Sequence, residues 1–366
     1  MSVYLDANAT EPLRPEARAA ALAAMDAVGN PSSVHAAGRA ARRILEDARE
    51  AIAQKFGARP ADTVFTSGGT EADALAIHAL GVGRRVIVCA TEHDAVRAAA
   101  GPGAVVLPVR ADGIADLGAL EALLTAGPPA LVCLMLANNE TGTIQPVHEA
   151  AGLCRRHGAL LFVDAVQAAG RMPVDLGALG ADAIALSSHK MGGPQGAGAL
   201  LLAPAHSALR PLIAGGGQER GRRGGTPPLA AIAGFAAATQ AAGESTLAPL
   251  RDAVERAALA AGAIVCGGEA PRLANTTSLA LPGVRADAQV IALDLAGVQV
   301  SAGAACSSGK VSASHVLAAM GLGPLAGQAI RVSLPWNATA GDGAAFADAY
   351  AGMAARMRPA LAAAVA

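Results

Sequence analysis

The sequence predicts an α/β fold, with a mainly parallel central sheet in a large domain and a smaller α+β domain beside it. Between about residues 60 and 205, short apolar, β-branched runs alternate with Ala-rich amphipathic stretches, which is the pattern of parallel strands joined by helices. A Pro-, Gly- and Arg-rich segment at 215–228 interrupts this alternation. Shorter strands mixed with helices then occupy residues 263–366, which indicates a second, smaller unit.

The expected domain boundaries follow from this pattern. We assign residues 15–250 to the large domain, and residues 1–14 and 251–366 to the small domain, which carries the loop around Cys306. The predicted strands are Thr63–Thr66, Arg85–Ala90, Ala130–Leu136, Ala159–Val163, Ala183–Leu186, Ala199–Leu202, Thr277–Leu281, Gln299–Ser301 and Ile330–Leu334.

Composition excludes several classes of function. The chain has 366 residues and a formal net charge of -1, so no global electrostatic field favours nucleic acid or an anionic membrane. No uninterrupted apolar run is long enough to span a bilayer, and the first residues lack the pattern of a signal peptide. We expect a cytoplasmic protein with neither a nucleic-acid nor a membrane partner.

The cysteines divide into two groups. Five cysteines without a CxxC pair argue against a disulfide framework and a zinc site, and no metal is predicted. Four lie in apolar strand-like or helical stretches and are expected to be buried and unreactive: Cys89, Cys133, Cys154 and Cys266. Cys306 differs, because residues 301–310 (SAGAACSSGK) form a polar loop of small residues. This setting alone leaves a functional and an incidental role for Cys306 equally open.

Lysine is rare in this chain. The 28 basic residues include only three lysines, Lys55, Lys190 and Lys310. Where arginine is used almost everywhere, a retained lysine indicates a position that needs a primary amine, because an amine can form an imine and a guanidinium cannot. The alternative is chance retention at the surface, which suits Lys55 on the charged face of a helix.

Ligands of open α/β sheets bind outside the carboxyl ends of the strands, and five predicted strands end in polar residues. The first is followed by Ser67-Gly68-Gly69-Thr70-Glu71 and a helix. The free N–H groups of such a turn, with the Thr70 hydroxyl, suit a phosphate. The turn matches neither the Walker nor the GxGxxG pattern, and taken alone it indicates an ordinary strand-to-helix connection more than a phosphate site.

The next two strand ends carry an imidazole and two amides. His93 could stack on an aromatic cofactor ring and transfer protons, although a histidine here could also be a surface or capping residue. Asn138 and Asn139 suit a polar substituent on such a ring, although asparagine is also common in plain turns.

The residues at the ends of the fourth and fifth predicted strands give the strongest indication of a cofactor site. Asp164 follows four apolar residues and is expected to be largely buried, so it needs a partner. A pyridinium nitrogen would serve, and the protonated ring becomes a better electron sink. Gln167 lies three residues further on, and Ser187-Ser188-His189-Lys190 brings Lys190 into the same crevice. A lysine, an aspartate and a phosphate-type turn together predict a pyridoxal phosphate (PLP) enzyme.

At these residues the sequence resembles the cysteine desulfurases, which are PLP enzymes of the class V aminotransferase group with fold type I. The resemblance extends over nearly the whole chain. It is carried by YLDANAT (4–10), GNPSSVHAAGRAAR (29–42), SGGTEADALAI (67–77), TEHDAV (91–96), NNETGTIQP (138–146), VDAVQAAGRMPVDL (163–176), SSHKMGGPQGAGAL (187–200), GGGQERGRRGGTP (215–227) and SAGAACSSGK (301–310).

The resemblance implies a role for each matching residue. Lys190 would bind the cofactor covalently, Asp164 would pair with its ring nitrogen, and His93 would stack on the ring. The phosphate would be held by Gly69, Thr70, Ser187 and His189, and by Thr226 of the partner subunit in a homodimer. Asn139 and Gln167 would lie near the ring hydroxyl. Arg331 would bind the carboxylate of the substrate L-cysteine, together with Asn139.

The implied reaction gives alanine and an enzyme persulfide. Lys190 would remove the α-proton of the substrate, and the Cys306 thiolate would attack the substrate sulfur. Because a free thiol has a pKa near ~8.5, Cys306 needs a proton acceptor, for which His93 and the substrate itself are candidates. The sulfur would pass to a protein acceptor or an iron–sulfur scaffold, and Cys306 could contact a transferred cluster.

The sequence departs from the family pattern at two places. Glu11 stands where the family often has a second threonine, and Pro335-Trp336-Asn337 replaces the commoner Gly-Arg after Arg331. The chain ends in an Ala-rich helix without an obvious tail for docking a scaffold.

Three alternatives remain at this stage. A class V transaminase gives Cys306 no task, so Cys306→Ala would leave its activity intact. A selenocysteine lyase would be inert to cysteine. A nucleotide-dependent oxidoreductase or a non-catalytic binding protein is disfavoured, because Gly321-Leu322-Gly323 lacks the preceding strand and the later acidic residue of a dinucleotide site.

Overall fold

The computed structural model describes residues 2–303 and 313–365, and confirms the predicted α/β fold. Cys306 and Lys310 lie outside the described residues. The strands are β1 (Val3–Tyr4), β2 (Thr63–Thr66), β3 (Arg85–Cys89), β4 (Val105–Leu107), β5 (Ala130–Cys133), β6 (Leu160–Asp164), β7 (Ala183–Ser187), β8 (Gly198–Leu202), β9 (Ile264–Cys266), β10 (Thr276–Ala280), β11 (Val298–Gln299), β12 (Ser301–Ala302) and β13 (Ala329–Ser333). The α-helices are α1 (Pro15–Met25), α2 (Ala36–Lys55), α3 (Gly69–Leu80), α4 (Asp94–Ala100), α5 (Leu117–Thr125), α6 (Val147–Arg156), α7 (Leu176–Leu179), α8 (Leu229–Ala241), α9 (Ala248–Ala260), α10 (Ala286–Leu295), α11 (His315–Ala319) and α12 (Ala340–Val365).

The central sheet of the described chain has seven strands in the order β2-β8-β7-β6-β5-β3-β4. Only β8 runs antiparallel to its neighbours, β2 and β7, and every other pair is parallel. The predicted strands of this sheet are present within a few residues of their expected ends. The short edge strand β4 was missed, because three residues are too few for a periodic pattern and Val106 is exposed.

The single reversed strand brings the phosphate-type turn to the Lys190 side of the sheet. Since β8 opposes both neighbours, β2 and β7 run in the same direction, and Thr66 and Ser187 both pair with Gly198 of β8. A Cβ on Gly198 would stand 2.6 Å from the backbone carbon of Gly68. Glycine at 198 therefore lets the turn after β2 approach the end of β7.

A second sheet has the order β12-β13-β10-β9 and is antiparallel, and β1 pairs in parallel with β11. Arg331 lies in β13, paired in register with Ser278 on one side and Ser301 on the other. An apolar cluster that includes Leu5 and Phe346 packs on this unit. Leu5 thus attaches the N-terminus to the sheet that carries Arg331.

The N-terminal segment then crosses from this sheet to the end of β7. The Ala7 N–H donates to Ser333 O at 3.0 Å, and the Glu11 N–H donates to His189 O at 2.9 Å. Residues 7–11 therefore run beside the predicted cofactor lysine.

Two negative findings concern the described residues alone. No helix there is both long and apolar enough to cross a membrane. No group of three or more His, Cys, Asp or Glu side chains is arranged to hold a metal ion.

Candidate active site

One cavity at the carboxyl edge of the central sheet has a volume of about 550 Å³. Nine of the ten residues predicted to bind the cofactor line it: Gly69, Thr70, His93, Asn139, Asp164, Gln167, Ser187, His189 and Lys190. Asp73, Met135 and Val166 complete the described lining, and no sequence pattern singled them out. The cavity is of the size that suits a small cofactor.

The end of the cavity at helix α3 suits a phosphate. The helix begins at Gly69, and no side chain caps its first N–H groups. A Cβ at Gly69 would stand 2.8 Å from Val166 Cγ2, so glycine keeps this end of the cavity open. Ser187 and His189 line the same cavity from β7 and the turn that follows it.

An ion pair that the sequence analysis missed supports this turn. Glu71 Oε2 accepts from the Ser67 N–H at 2.8 Å, and Arg223 donates to both Glu71 oxygens at 2.8 and 3.2 Å. Burial opposes ionisation of Glu71, but the hydrogen bonds from Arg223 and Ser67 outweigh it and lower its pKa. The Arg-rich loop at 215–228 is thereby tied to the phosphate end of the cavity.

His189 is neutral in this setting. Burial lowers the pKa of its imidazole to about 4, with a further contribution from the charge of Lys190. Its Nδ1 lies 3.1 Å from the Thr10 hydroxyl. When Nδ1 accepts from that hydroxyl, Nε2 carries the proton and can donate to an anionic ligand.

Asp164 also lines the cavity. Its side chain is buried, as predicted, and Oδ1 accepts from the Val166 N–H at 2.9 Å. Burial raises its pKa, and the charges of His93 and Lys190 oppose that shift. A buried carboxylate that needs a cationic partner fits a pyridinium nitrogen.

His93 is the N-cap of helix α4. Its Nδ1 accepts from the Ala95 N–H at 3.1 Å, so the neutral ring carries its proton on Nε2. In this geometry the neutral His93 ring is a hydrogen-bond donor at Nε2. It accepts a proton at Nε2 only if the ring proton first leaves or the contact with Ala95 breaks.

The Lys190 amine is held by the N-terminal segment. Nζ donates to the carbonyl oxygens of Asn8 and Ala9, the latter at 2.9 Å. Gln167 Nε2 also donates to Asn8 O, at 3.0 Å, and Asn8 Nδ2 donates to Asn139 O at 3.0 Å. Asn8 thus joins three predicted site residues. The YLDANAT motif contained this residue, but a contact across 182 positions of sequence cannot be predicted from one motif.

Arg331 lies beside the cavity and is not part of its described lining. Nη1 donates to Asn139 O at 3.1 Å, and Nη2 donates to Asp6 Oδ1 at 2.6 Å. The side chain is buried, and Nε has no hydrogen-bond partner among the described residues. An unsatisfied guanidinium donor beside Asn139 suits a substrate carboxylate.

Two further predicted residues remain untested. Thr226 is exposed and does not line the cavity of its own chain, so its contact with a partner's phosphate stays a prediction. Cys306 lies outside the described residues. The other four cysteines are buried as predicted, and burial raises the pKa of the Cys89 and Cys154 thiols to about 12.

The residues present therefore fit PLP. An uncapped helix N-terminus, a buried carboxylate and a lysine amine all line the cavity. Each group matches a chemical feature of the cofactor: the phosphate, the ring nitrogen and the aldehyde.

Comparison with known proteins agrees with this geometry. The model of the family described as aminotransferase class-V matches residues 3–345. An IscS-like cysteine desulfurase of Mycobacterium tuberculosis is 40% identical over 97% of this chain and 97% of its own length. A NifS-like protein from Rickettsia africae has a solved structure with a TM-score of 0.89 and 33% identity, covering 96% of this chain and 99% of that one. The solved structure of SspA in complex with cysteine has a TM-score of 0.79 and 30% identity, covering 91% of this chain and 99% of that one.

These matches confirm the predicted resemblance and the predicted fold. The match to the family model extends over both sheets and all the cavity-lining residues named above. This chain belongs to the class-V aminotransferase family.

Proposed function

We propose that this chain is a PLP-dependent cysteine desulfurase, which converts L-cysteine to L-alanine and holds the sulfur as a persulfide on Cys306. One observation carries the proposal: a single cavity gathers a lysine, a buried aspartate, a histidine and a phosphate-type helix N-terminus from four strand ends. The similarity to proteins named cysteine desulfurase, and to SspA with bound cysteine, supports the choice of substrate.

Bound PLP supplies an electron sink for the negative charge that develops on the substrate carbons. Lys190 would hold the cofactor covalently, and its amine would move the α-proton of the substrate. Asp164 would keep the ring nitrogen protonated. Gly69, Thr70, Ser187 and His189 would bind the phosphate, and His93 would lie against the ring.

The substrate carboxylate binds Arg331 and Asn139. Arg331 has an unpaired Nε, and its Nη2 contacts Asp6 at 2.6 Å. The substrate carboxylate therefore binds an arginine whose positive charge is already partly neutralised by Asp6.

Sulfur transfer conserves atoms and electrons. The Cys306 thiolate forms a bond to the substrate sulfur as the bond between Cβ and that sulfur breaks. The electron pair of the broken bond remains with the carbon fragment, which takes up protons and leaves as alanine. His93, with its proton on Nε2, can donate a hydrogen bond during this step.

The finer biological setting is part of the proposal. We infer a homodimer in which Thr226 reaches the partner's phosphate, an L-cysteine substrate, and a protein sulfur acceptor or iron–sulfur scaffold. The compartment inferred is the cytoplasm.

The test uses the purified chain loaded with PLP, incubated with L-cysteine and a reductant, and measures alanine and sulfide. We expect equal amounts of the two, and loss of both in Cys306→Ala. Cys154→Ala is the matched control, because Cys154 is buried in helix α6 outside the cavity, and it should retain the wild-type rate. Absence of alanine from the wild type, or a full rate in Cys306→Ala, contradicts the proposal.

A further inference from the structure

The two departures from the family pattern, Glu11 and the segment 335–337, are in contact in the structure. Glu11 Oε2 accepts from the Trp336 N–H at 3.1 Å. The Trp336 indole donates to Pro12 O at 2.9 Å, and the Arg14 guanidinium lies 4.7 Å from the centre of the Trp336 ring. The N-terminal segment is thus attached to the chain that follows β13, through residues particular to this sequence.

The other carboxylate oxygen of Glu11, Oε1, is connected to the cofactor cavity through hydrogen bonds of Arg171. Oε1 accepts from Arg171 Nη2 at 3.2 Å, and both side chains are about 95% buried. Arg171 Nη1 donates to Gln167 Oε1 at 2.5 Å and to Gln167 O at 3.2 Å. Gln167 lines the cavity. Glu11, Arg171 and Gln167 therefore form a continuous buried chain, which we call the Glu11 relay.

The relay determines which end of the Gln167 amide faces the cavity. Arginine has only donors, so the amide group turned toward Arg171 must be the oxygen. The amide nitrogen is then the group that donates to Asn8 O at 3.0 Å, and it has a second N–H. A donor near the ring hydroxyl stabilises that oxygen when it is ionised, whereas an acceptor would destabilise it.

We propose that Arg171 is a positioning residue that holds the Gln167 amide with its NH2 group toward the ring oxygen of the cofactor, and that Glu11 keeps the buried Arg171 charge balanced. The inference rests on the proposed function, since it takes PLP as the ligand of this cavity. It assigns a task to both family departures, because Trp336 and Arg171 share Glu11 as their acceptor.

The test is a spectroscopic titration of bound PLP. Arg171→Met removes one of the two groups that orient the Gln167 amide and leaves the acceptor Asn8 O, and Arg171→Lys restores a cationic donor. We expect Arg171→Met to weaken PLP binding about tenfold, as for loss of one hydrogen bond made with the help of a charge. It should also raise the pH midpoint of the visible absorption change by roughly half a unit or more. Arg171→Lys should recover most of both. The other titratable groups lining the cavity are unchanged in these variants: Asp73, His93, Asp164, His189 and Lys190.

A matched control separates positioning from stability. Arg272 is also a largely buried arginine, paired with Glu255 at 2.5 Å, and it does not line the cavity. Arg272→Met should lower the unfolding temperature but leave the absorption midpoint unchanged. If Arg171→Met proves too unstable to purify, Glu11→Gln keeps an acceptor for Trp336 while removing the charge, and should shift the midpoint in the same direction.

The outcomes distinguish the two proposals. A wild type that makes alanine, with Arg171→Met and Arg272→Met giving the same midpoint, overturns the positioning role alone. A wild type that binds PLP and shows the shift in Arg171→Met but makes no alanine supports the relay and contradicts the desulfurase assignment. A wild type that binds no PLP overturns both.

Discussion

The ion pair between Arg49 and Glu219 gives the sharpest stability prediction. Glu219 Oε1 and Oε2 each accept from Arg49 at 2.7 Å, and Oε2 also accepts from the Phe65 N–H at 2.9 Å. Both side chains are about 96% buried. Glu219→Gln keeps the shape but turns one of these acceptors into a donor, and it leaves the buried Arg49 charge with only the half-exposed Glu46 carboxylate as an ion-pair partner among the described residues.

The expected loss of unfolding free energy can be converted to a decrease in the unfolding temperature. Breaking a buried ion pair from one side costs about 3–5 kcal/mol. With 366 residues, an entropy of about 2.1 cal/mol/K per residue gives an unfolding entropy of about 0.8 kcal/mol/K. The unfolding midpoint of Glu219→Gln should therefore fall by about 4–6 °C.

The same pair holds a strained turn in the loop that carries Thr226. Glu219 and Arg220 adopt left-handed φ values of 48° and 58°, which is unfavourable for residues with a Cβ. Loss of the Glu219 carboxylate should free this turn and the nearby Arg223, which contacts Glu71 at the phosphate end of the cavity. PLP binding should therefore weaken along with stability.

Differential scanning calorimetry of the PLP-free chain measures the first effect, and a PLP binding titration measures the second. Arg220→Gly is the control: it removes a left-handed side chain whose ion pair with Glu46 is exposed and 4.0 Å long. It should change stability by less than about 1 kcal/mol. Replacing both partners, as Arg49→Met with Glu219→Leu, should be less destabilising than Glu219→Gln. A Glu219→Gln midpoint within 1 °C or so of wild type refutes the reasoning.

Three further substitutions probe the cavity. Asp164→Asn removes the partner of the ring nitrogen and should lower the rate of alanine formation about 100-fold or more, and a rate within about threefold of wild type contradicts that role. Gly198→Ala would bring a Cβ within 2.6 Å of Gly68 and should weaken PLP binding in a titration, whereas Gly103→Ala, with open space around it, should not. His189→Gln should flatten the pH dependence of unfolding. The folded pKa of His189 is lowered to about 4, so wild type should lose about 2 kcal/mol, after allowance for solvent screening, as the pH falls from 6.5 to 4. If the unfolding free energies of wild type and His189→Gln have equal slopes against pH, the pKa of His189 is not lowered in the folded chain.

The cavity was largely predictable because its residues follow strands. Buried strands such as LLFVD leave a clear apolar run, and the polar residue after each run falls at one edge of the sheet whenever the strands run the same way. Asp164 and Lys190 were identified for that reason. Residues whose role depends on distant partners left no such signal. Glu71 needed Arg223, and Glu11 needed Arg171 and Trp336, at separations of 152 to 325 residues.

The reversed strand β8 shows another limit of the sequence. Gly198–Leu202 has the composition of any buried strand, and its direction depends on which neighbours it joins. The prediction of a mainly parallel sheet was confirmed, but the approach of the Gly68–Gly69 turn to Ser187 depends on this one antiparallel strand. A pairing of that kind is set by tertiary contacts and not by local pattern.

The acids around Asp164 lead to a last prediction, concerning Asp73. Asp73 is 2% exposed, and its Oδ1 has no hydrogen-bond partner among the described residues. Burial raises its pKa well above the ordinary 3.8, and the charges of Asp164 and Glu92 raise it further. Folded Asp73 thus keeps its proton at a pH where the unfolded chain has lost it, so its contribution to stability falls as the pH rises above about 4. Asp73→Asn removes this penalty, and the PLP-free variant should gain stability over wild type as the pH rises from 5 to 8. Chemical denaturation at both pH values measures the difference, with the exposed Asp47→Asn as control. A difference in unfolding free energy between Asp73→Asn and wild type that stays constant with pH would mean that burial does not raise the pKa of Asp73.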